Sequence, residues 1–302
     1  MNSSAIYLTG ATASGKSALA MHLAKRLGGE IISVDSMQVY CGLNIGTAKP
    51  NTEEQAEVQH HLIDVAKLSE AFDAAQFIRL AERASKAISI RGRIPIFCGG
   101  TGLYFRALWE GLGDSPPSEE PLRNELSLIP LESLVRELKI KDPEAAKQID
   151  LKNPRRVLRA IEVIRLTGRP YSEQRIGWEN LEGTPRNLFC INREVDILNR
   201  RIHKRVDDMF DKGLVEETQN LIKQGLRDNR NACQALGYRQ VLDLLDEKLS
   251  LESVVDQVKT KTRQFAKRQR SWFRNQMKCQ VLDWPDEENV NSFCERLIGR
   301  IS

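Results

Sequence analysis

Eight residues near the start of the chain, Gly10-Ala11-Thr12-Ala13-Ser14-Gly15-Lys16-Ser17, fit the pattern GxxxxGK[ST]. Glycines at the two ends of such a loop let successive backbone N–H groups curl around an anion. A helix following it turns its positive end towards the same point. Lys16 has the reach for terminal phosphate oxygens, and the Ser17 hydroxyl suits a magnesium ion. These residue types bind a phosphate or diphosphate. Nucleotide-phosphate enzymes usually add a second apolar strand ending in Asp, whereas Arg93–Cys98 here runs into Gly99-Gly100-Thr101-Gly102. Carboxylates follow two other strand-like runs: Asp35 after Glu30–Val34, and Asp64 after the His61–Val65 region begins. Asp64 reads as a magnesium partner or a helix cap. Asp35 stands at the C-terminal end of a strand neighbouring the loop strand, where α/β sheets bind ligands, and there a carboxylate accepts a proton from a nucleophile.

A second concentration of chemistry lies far downstream. Between Val258 and Lys278 there are eight basic residues and no acidic one, twice the formal net charge of +4 carried by the whole chain. With no Gly or Pro, the stretch reads as a helix. At 100° per residue, Arg263, Lys267, Arg270 and Arg274 fall within about 60° of one another. Val258, Thr262, Phe265 and Trp272 form a second stripe for packing. A solvated basic face is the plain alternative, but the lack of acidic residues favours a polyanion such as nucleic acid.

The elements that position these residues alternate strand and helix over the first hundred positions, the mark of a parallel α/β sheet. Strands are expected at Ala5–Thr9, Glu30–Val34, His61–Val65, Arg93–Cys98 and, after a long gap, Asn187–Ile191. Gly111–Pro121 reads as a linker, and mainly helical sequence follows it, so 114–186 is expected to be an insertion in a core made of 1–113 and 187–302. The 302 residues, 41% apolar and 28% charged, are ample for such a core and exclude wholesale disorder. No apolar run approaches the roughly 20 residues that cross a bilayer, and the N-terminus lacks a signal peptide's basic region. Six dispersed cysteines without a CxxC pair suit reduced thiols in the cytoplasm rather than a disulfide frame or zinc site.

Several further strings complete the pattern: Asp35-Ser36-Met37-Gln38-Val39-Tyr40, Ile45–Pro50, His60–Asp64, Gly99–Tyr104, Asn153–Arg159, Arg205-Val206 with Met209 and Gly213-Leu214, Gln234–Arg239 and Lys267–Arg274. In this order, over nearly the whole chain, they resemble the bacterial tRNA dimethylallyltransferases, also called tRNA isopentenyltransferases. The chain departs from the family's usual pattern in having Ala11 where proline is common and Ser271 where threonine is common. Neither change removes an expected catalytic group.

The resemblance implies a P-loop NTPase-like sheet with a helical inserted domain. It also implies transfer of a dimethylallyl group from its diphosphate to the N6 amine of the adenine 3′-adjacent to the anticodon. On that reading the loop Gly10–Ser17 holds a diphosphate rather than ATP, with magnesium on Ser17. Asp35 is the general base, Thr101 positions the amine or the diphosphate, and Arg205 grips the diphosphate. The competing roles are a helix cap for Asp35, a turn residue for Thr101, and a surface ion pair with Asp207 or Asp208 for Arg205. Gln38 offers an amide to the adenine edge, and an anticodon-loop adenine is turned out at modest cost. Further tRNA contacts are implied for Ser36 and Met37, for Arg155, Arg156, Val157, Leu158 and Arg159 in the insertion with Arg123 at its start, for Gln234, Gly237, Tyr238 and Arg239, and for Lys267, Arg268, Arg270, Trp272 and Arg274. Tyr238 and Trp272 suit a core position equally well, and His60 and His61 are expected to serve packing. A monomer without membrane association is expected. The rival readings are a P-loop small-molecule or nucleotide kinase, a non-enzymatic RNA-binding module, and a prenyltransferase for free adenine nucleotides.

Overall fold

The computed structural model describes residues 5–174 and 184–301. It divides into two units, Met1–Arg106 with Glu182–Ser302, and Ala107–Leu181. The first unit opens with β1 (Ile6–Gly10), α1 (Lys16–Leu27), β2 (Gly29–Val34), α2 (Thr52–Glu57), β3 (His60–His61), α3 (Ala74–Ile90), β4 (Ile94–Gly99) and α4 (Gly102–Glu110). The second unit follows with α5 (Glu120–Ser127), α6 (Leu131–Lys141), α7 (Pro143–Gln148), α8 (Pro154–Thr167) and α9 (Tyr171–Gln174). The first unit resumes with β5 (Leu188–Asn192), α10 (Val195–Asp211), α11 (Leu214–Ile222), α12 (Tyr238–Leu245), α13 (Leu251–Gln276), β6 (Gln280–Asp283) and α14 (Val290–Ile298). The division falls inside α4, upstream of the Gly- and Pro-rich stretch that marks it in the sequence. Residues 175–183, assigned from sequence to the insertion, lie outside the described residues.

The strands form one parallel sheet in the order β3-β2-β4-β1-β5-β6. β1, β2 and β5 are buried along nearly their whole length, as expected where helical crossovers cover both faces of a parallel sheet. β5 pairs with β1 although the entire second unit intervenes, with Tyr7 opposite Leu188. Register then aligns the strand ends: Val34 and Thr9 are both opposite Gly99, and Gly10 is opposite Ile191. The loops after β1, β2, β4 and β5 therefore emerge along one edge.

Two strands differ from expectation. β3 covers His60–His61 only, because Leu62 and Asp64 take left-handed backbone angles (φ 62° and 53°) that turn the chain out of the sheet. β6 escapes detection because it is a short edge strand with three of its four residues exposed. Behind the sheet, Leu19, Ala20, Leu23 and Ala24 of α1 pack with Ile6, Leu8, Ile96 and Phe189, each large apolar side chain contributing about 1.5–3 kcal/mol on burial. Trp284 stacks on Phe293 of α14 at 4.4 Å in the same cluster.

The second unit has its own core of Leu126, Leu134, Leu138, Val157, Ala160, Ile161 and Ile164. α8 starts where Asn153 Oδ1 accepts the backbone N–H groups of Arg155 and Arg156 and stops at the left-handed Gly168. Among the described residues no helix is long and apolar enough to cross a membrane. α13 packs through Val254, Val258, Thr262, Ala266, Gln269 and Phe273, so Phe265 is exposed at 36% rather than part of the buried stripe. The drift arises because contacts at successive intervals of four residues advance by about 40° per step around a helix of 3.6 residues per turn.

Candidate active site

The loop between β1 and α1 closes where backbone strain and tertiary contact meet. Gly15 has φ 96°, and a Cβ there would lie 2.9 Å from the Trp284 ring, so only glycine lets the loop turn against that wall. Ala13 is also left-handed at φ 62°, costing roughly 1–2 kcal/mol. Side chains from the far end of the chain brace it. Arg201 Nε donates to Ala13 O at 2.8 Å, and the buried Arg193 donates to Ser14 O at 2.9 Å while stacking 4.2 Å over Trp284. Within the loop, Ala11 O accepts from Ser14 N and from Lys16 Nζ at 3.2 and 3.1 Å. The Ser14 hydroxyl is buried without a hydrogen-bond partner among the described residues.

Two cations converge on this loop. Burial holds the Lys16 ammonium below its usual pKa, and Arg205 adds to the depression while Cys98 and Asp35 oppose it. Burial likewise lowers Arg205 of α10, against the pull of Asp35. Neither has a carboxylate within 4.0 Å among the described residues, and the one side-chain bond of Arg205 runs to Thr47 O at 3.4 Å. A surface ion pair is thereby excluded for Arg205: Asp207 pairs with Lys259 at 2.6 Å and Asp208 with Lys204 at 3.8 Å. Partly buried cations with no carboxylate in contact are costly to desolvate, so the arrangement suits an anionic ligand. Below the loop, burial pushes the Cys98 thiol up to about 11, leaving it neutral.

Asp35 follows β2 and serves two ends. Its Oδ1 accepts from Met37 N at 2.8 Å and Gln38 N at 3.3 Å, capping the turn after the strand. Its Oδ2 takes no hydrogen bond among the described residues. Thr101, after β4, accepts from Ser36 N through Oγ1 at 3.2 Å, and its carbonyl starts α4 through Tyr104 N. The expected turn role of Thr101 and its place beside Asp35 thus coexist. The structure gathers Asp35, Thr101, Lys16, Ser17 and Arg205 at one sheet edge.

Other expected contacts are placed differently. The Gln38 amide is committed internally, accepting from Ser33 Oγ at 2.8 Å and donating to Thr47 O and Ala48 O, so it is not presented to a base. Asp64 pairs with Lys49, which corrects both the magnesium and the helix-cap readings. Tyr238 is fully buried, its hydroxyl donating to Glu217 at 2.6 Å and accepting from Gly46 N at 3.1 Å. It holds the Ile45–Ala48 loop and has no face for stacking. Gly237 is buried at the start of α12, whereas Gln234 and Arg239 are exposed. Trp272 is half-buried against Gly102.

On α13, Lys267, Arg268 and Arg274 are exposed and Arg270 is partly so. Arg263 instead bonds His203 at 2.6 Å and leaves the expected stripe. In the second unit, Arg155 and Arg156 are exposed. Val157 and Leu158 belong to the core. Arg159 and Arg123 converge on the fully buried Glu162 at 2.8 and 3.2 Å, neutralising it rather than displaying charge. Sequence reasoning missed Arg193, Arg201 and Gln269, whose loop contacts join residues 179 to 257 positions apart.

The description "IPP transferase" fits residues 38–276 as a family. A tRNA dimethylallyltransferase of Geobacillus thermodenitrificans is 43% identical over 307 aligned positions, covering 100% of this chain and 97% of that protein. The crystal structure of the full-length tRNA isopentenylpyrophosphate transferase from Bacillus halodurans has a TM-score of 0.71 and 38% identity, covering 99% of this chain and 97% of that one. A eukaryotic dimethylallyltransferase captured acting on tRNA reaches a TM-score of 0.76 at 29% identity, over 93% of this chain and 74% of its own. Similarity of this extent, in sequence and in fold, means that the chain belongs to the tRNA dimethylallyltransferase family.

Proposed function

We propose that the protein transfers a dimethylallyl group from dimethylallyl diphosphate to the exocyclic N6 amine of the adenine 3′-adjacent to the anticodon in tRNA, releasing diphosphate. The observation that carries this reading is the pair of partly buried cations, Lys16 and Arg205, with no carboxylate within 4.0 Å among the described residues, together with the unbonded Ser14 hydroxyl in the same loop as Lys16. Together they suit the charge that builds on a departing diphosphate. The allylic C–O bond breaks with its electrons leaving on the diphosphate, the adenine nitrogen forms the new C–N bond, and its proton passes to Asp35 Oδ2. Thr101, tied to Ser36 N, holds the amine or diphosphate in line with that carboxylate.

Magnesium fits the donor set. Among the described residues no three His, Cys, Asp or Glu side chains gather for a metal, whereas a single hydroxyl beside a phosphate loop suits an ion that keeps most of its water. Ser17 would hold it, and the ion would neutralise diphosphate charge. For RNA, the exposed Lys267, Arg268 and Arg274 with Arg270 offer cations on α13, and Arg155 and Arg156 offer them separately on α8. In this reading the enzyme works as a monomer in the cytoplasm, consistent with six free cysteines.

The test is transfer of labelled dimethylallyl diphosphate, with magnesium, to unmodified bulk tRNA. Label in acid-precipitable RNA supports the reading, and its absence, with ATP turnover instead, returns the kinase reading.

A further inference from the structure

Gln269 sits in the middle of the cationic stretch of α13 yet is only 7% exposed. Its carboxamide bridges two loops of the site. Oε1 accepts from Thr12 N at 2.8 Å, and Nε2 donates to Gly100 O at 2.9 Å. The bridge needs an acceptor and a donor aimed at opposite backbone groups, which a carboxamide supplies and a carboxylate does not. The fit at Gly100 is close: a Cβ there would lie 2.3 Å from Gln269 Nε2. One turn further on, Trp272 lies against Gly102, so the same stretch of helix bears on both ends of the glycine-rich loop. Thr101 stands between those two glycines and bonds Ser36 N, next to Asp35. A continuous path therefore runs from the diphosphate loop through Gln269 and Thr101 to the carboxylate.

We propose that Gln269 is a positioning residue for the transfer reaction, setting the separation between the loop that holds the leaving diphosphate and the loop that carries Thr101. The inference rests on the prenyl-transfer reading. In that reaction the departing oxygen and the entering nitrogen lie on opposite sides of one carbon, so an error in loop separation becomes an error in attack geometry. Misplacement by about 1 Å costs on the order of 10²-fold in rate.

The test uses full-length Gln269→Ala and Gln269→Glu proteins in the transfer assay, with kcat and KM measured across pH. Gln269→Ala lowers kcat about tenfold or more while raising KM for dimethylallyl diphosphate about threefold at most. In Gln269→Glu the ionised carboxyl still accepts from Thr12 N but confronts Gly100 O without a proton, and activity falls. As pH drops and the introduced carboxyl protonates, the donor returns, so the ratio of its kcat to that of wild type at the same pH climbs. The corresponding ratio for Gln269→Ala stays flat. If Gln269→Ala fails to fold, the pH-dependent ratio of Gln269→Glu decides alone. A flat Gln269→Glu ratio, or a Gln269→Ala kcat within about twofold of wild type, overturns the proposal. Failure of the prenyl-transfer reading shows instead in the wild-type protein, which then labels no RNA.

Discussion

Replacing Asp35 with asparagine separates the two tasks of its carboxylate. Asparagine keeps an Oδ1 to accept from Met37 N and Gln38 N, now at 2.8 and 3.3 Å, so the turn after β2 survives. Alanine loses that cap and costs about 1 kcal/mol of stability. Both substitutions remove the proton acceptor at Oδ2. General-base catalysis contributes about 10²–10⁴-fold, so kcat falls by that factor in each, about 2.7–5.4 kcal/mol of barrier. Affinity for dimethylallyl diphosphate holds or improves, because an anion beside the leaving group has gone while Lys16 and Arg205 remain. Steady-state transfer kinetics with tRNA, alongside urea unfolding of both variants, provide the measurement. An asparagine variant retaining a third or more of kcat, or one that loses only KM, would refute the assignment of Asp35 as base.

Lys16 titrates below 10.5 in the free protein, chiefly because it is buried, and a bound diphosphate favours its charged form. Between the lowered and the restored pKa, binding therefore takes up protons. Calorimetry of dimethylallyl diphosphate, a diphosphate ester already fully ionised at alkaline pH, carried out just below the ordinary lysine range in buffers of different ionisation enthalpy, should show that uptake, and proton release would contradict it. Substituting Lys267, Arg268 and Arg274 together with alanine should flatten the log–log salt dependence of tRNA binding by about 0.7–0.9 for each phosphate no longer neutralised, with diphosphate binding unchanged; an unaltered slope removes α13 from the RNA surface. Tyr238→Phe leaves Gly46 N and Glu217 without their shared hydroxyl, and should cost about 1–3 kcal/mol in urea unfolding. A change below about 0.5 kcal/mol would mean that the Ile45–Ala48 loop does not depend on it.

The parts legible in the sequence are those whose signal is local. The loop Gly10–Ser17 declares itself through spacing, and Asp35 through its place at the end of an apolar run. The residues expected to face RNA are harder to read because a short motif mixes side chains with opposite fates. Arg155 and Arg156 are exposed while Val157, one residue on, is core. Arg159 and Arg123 turn inward because Glu162 is buried among apolar neighbours and needs counter-charge. Charge counting along α13 likewise misses Asp207 and His203, which α10 brings to Lys259 and Arg263. Gln269 lies inside the string Lys267–Arg274, but nothing local marks its role, since that role depends on two backbone groups, Thr12 N and Gly100 O, in distant loops.

The bracing of the loop Gly10–Ser17 by residues 193, 201 and 269 also bears on how the enzyme is made. A ribosome adds roughly 5–20 residues per second, so Thr12 waits roughly 13–50 s for the partner that follows it by 257 positions. Throughout that interval the nascent chain carries the complete phosphate-binding motif but lacks the side chains that shape it. Pairing of such sequence separation is also slow to form after release. Dimethylallyl diphosphate thus meets a finished site only once residue 269 has been made, and a product of premature termination before it would carry the motif without the grip.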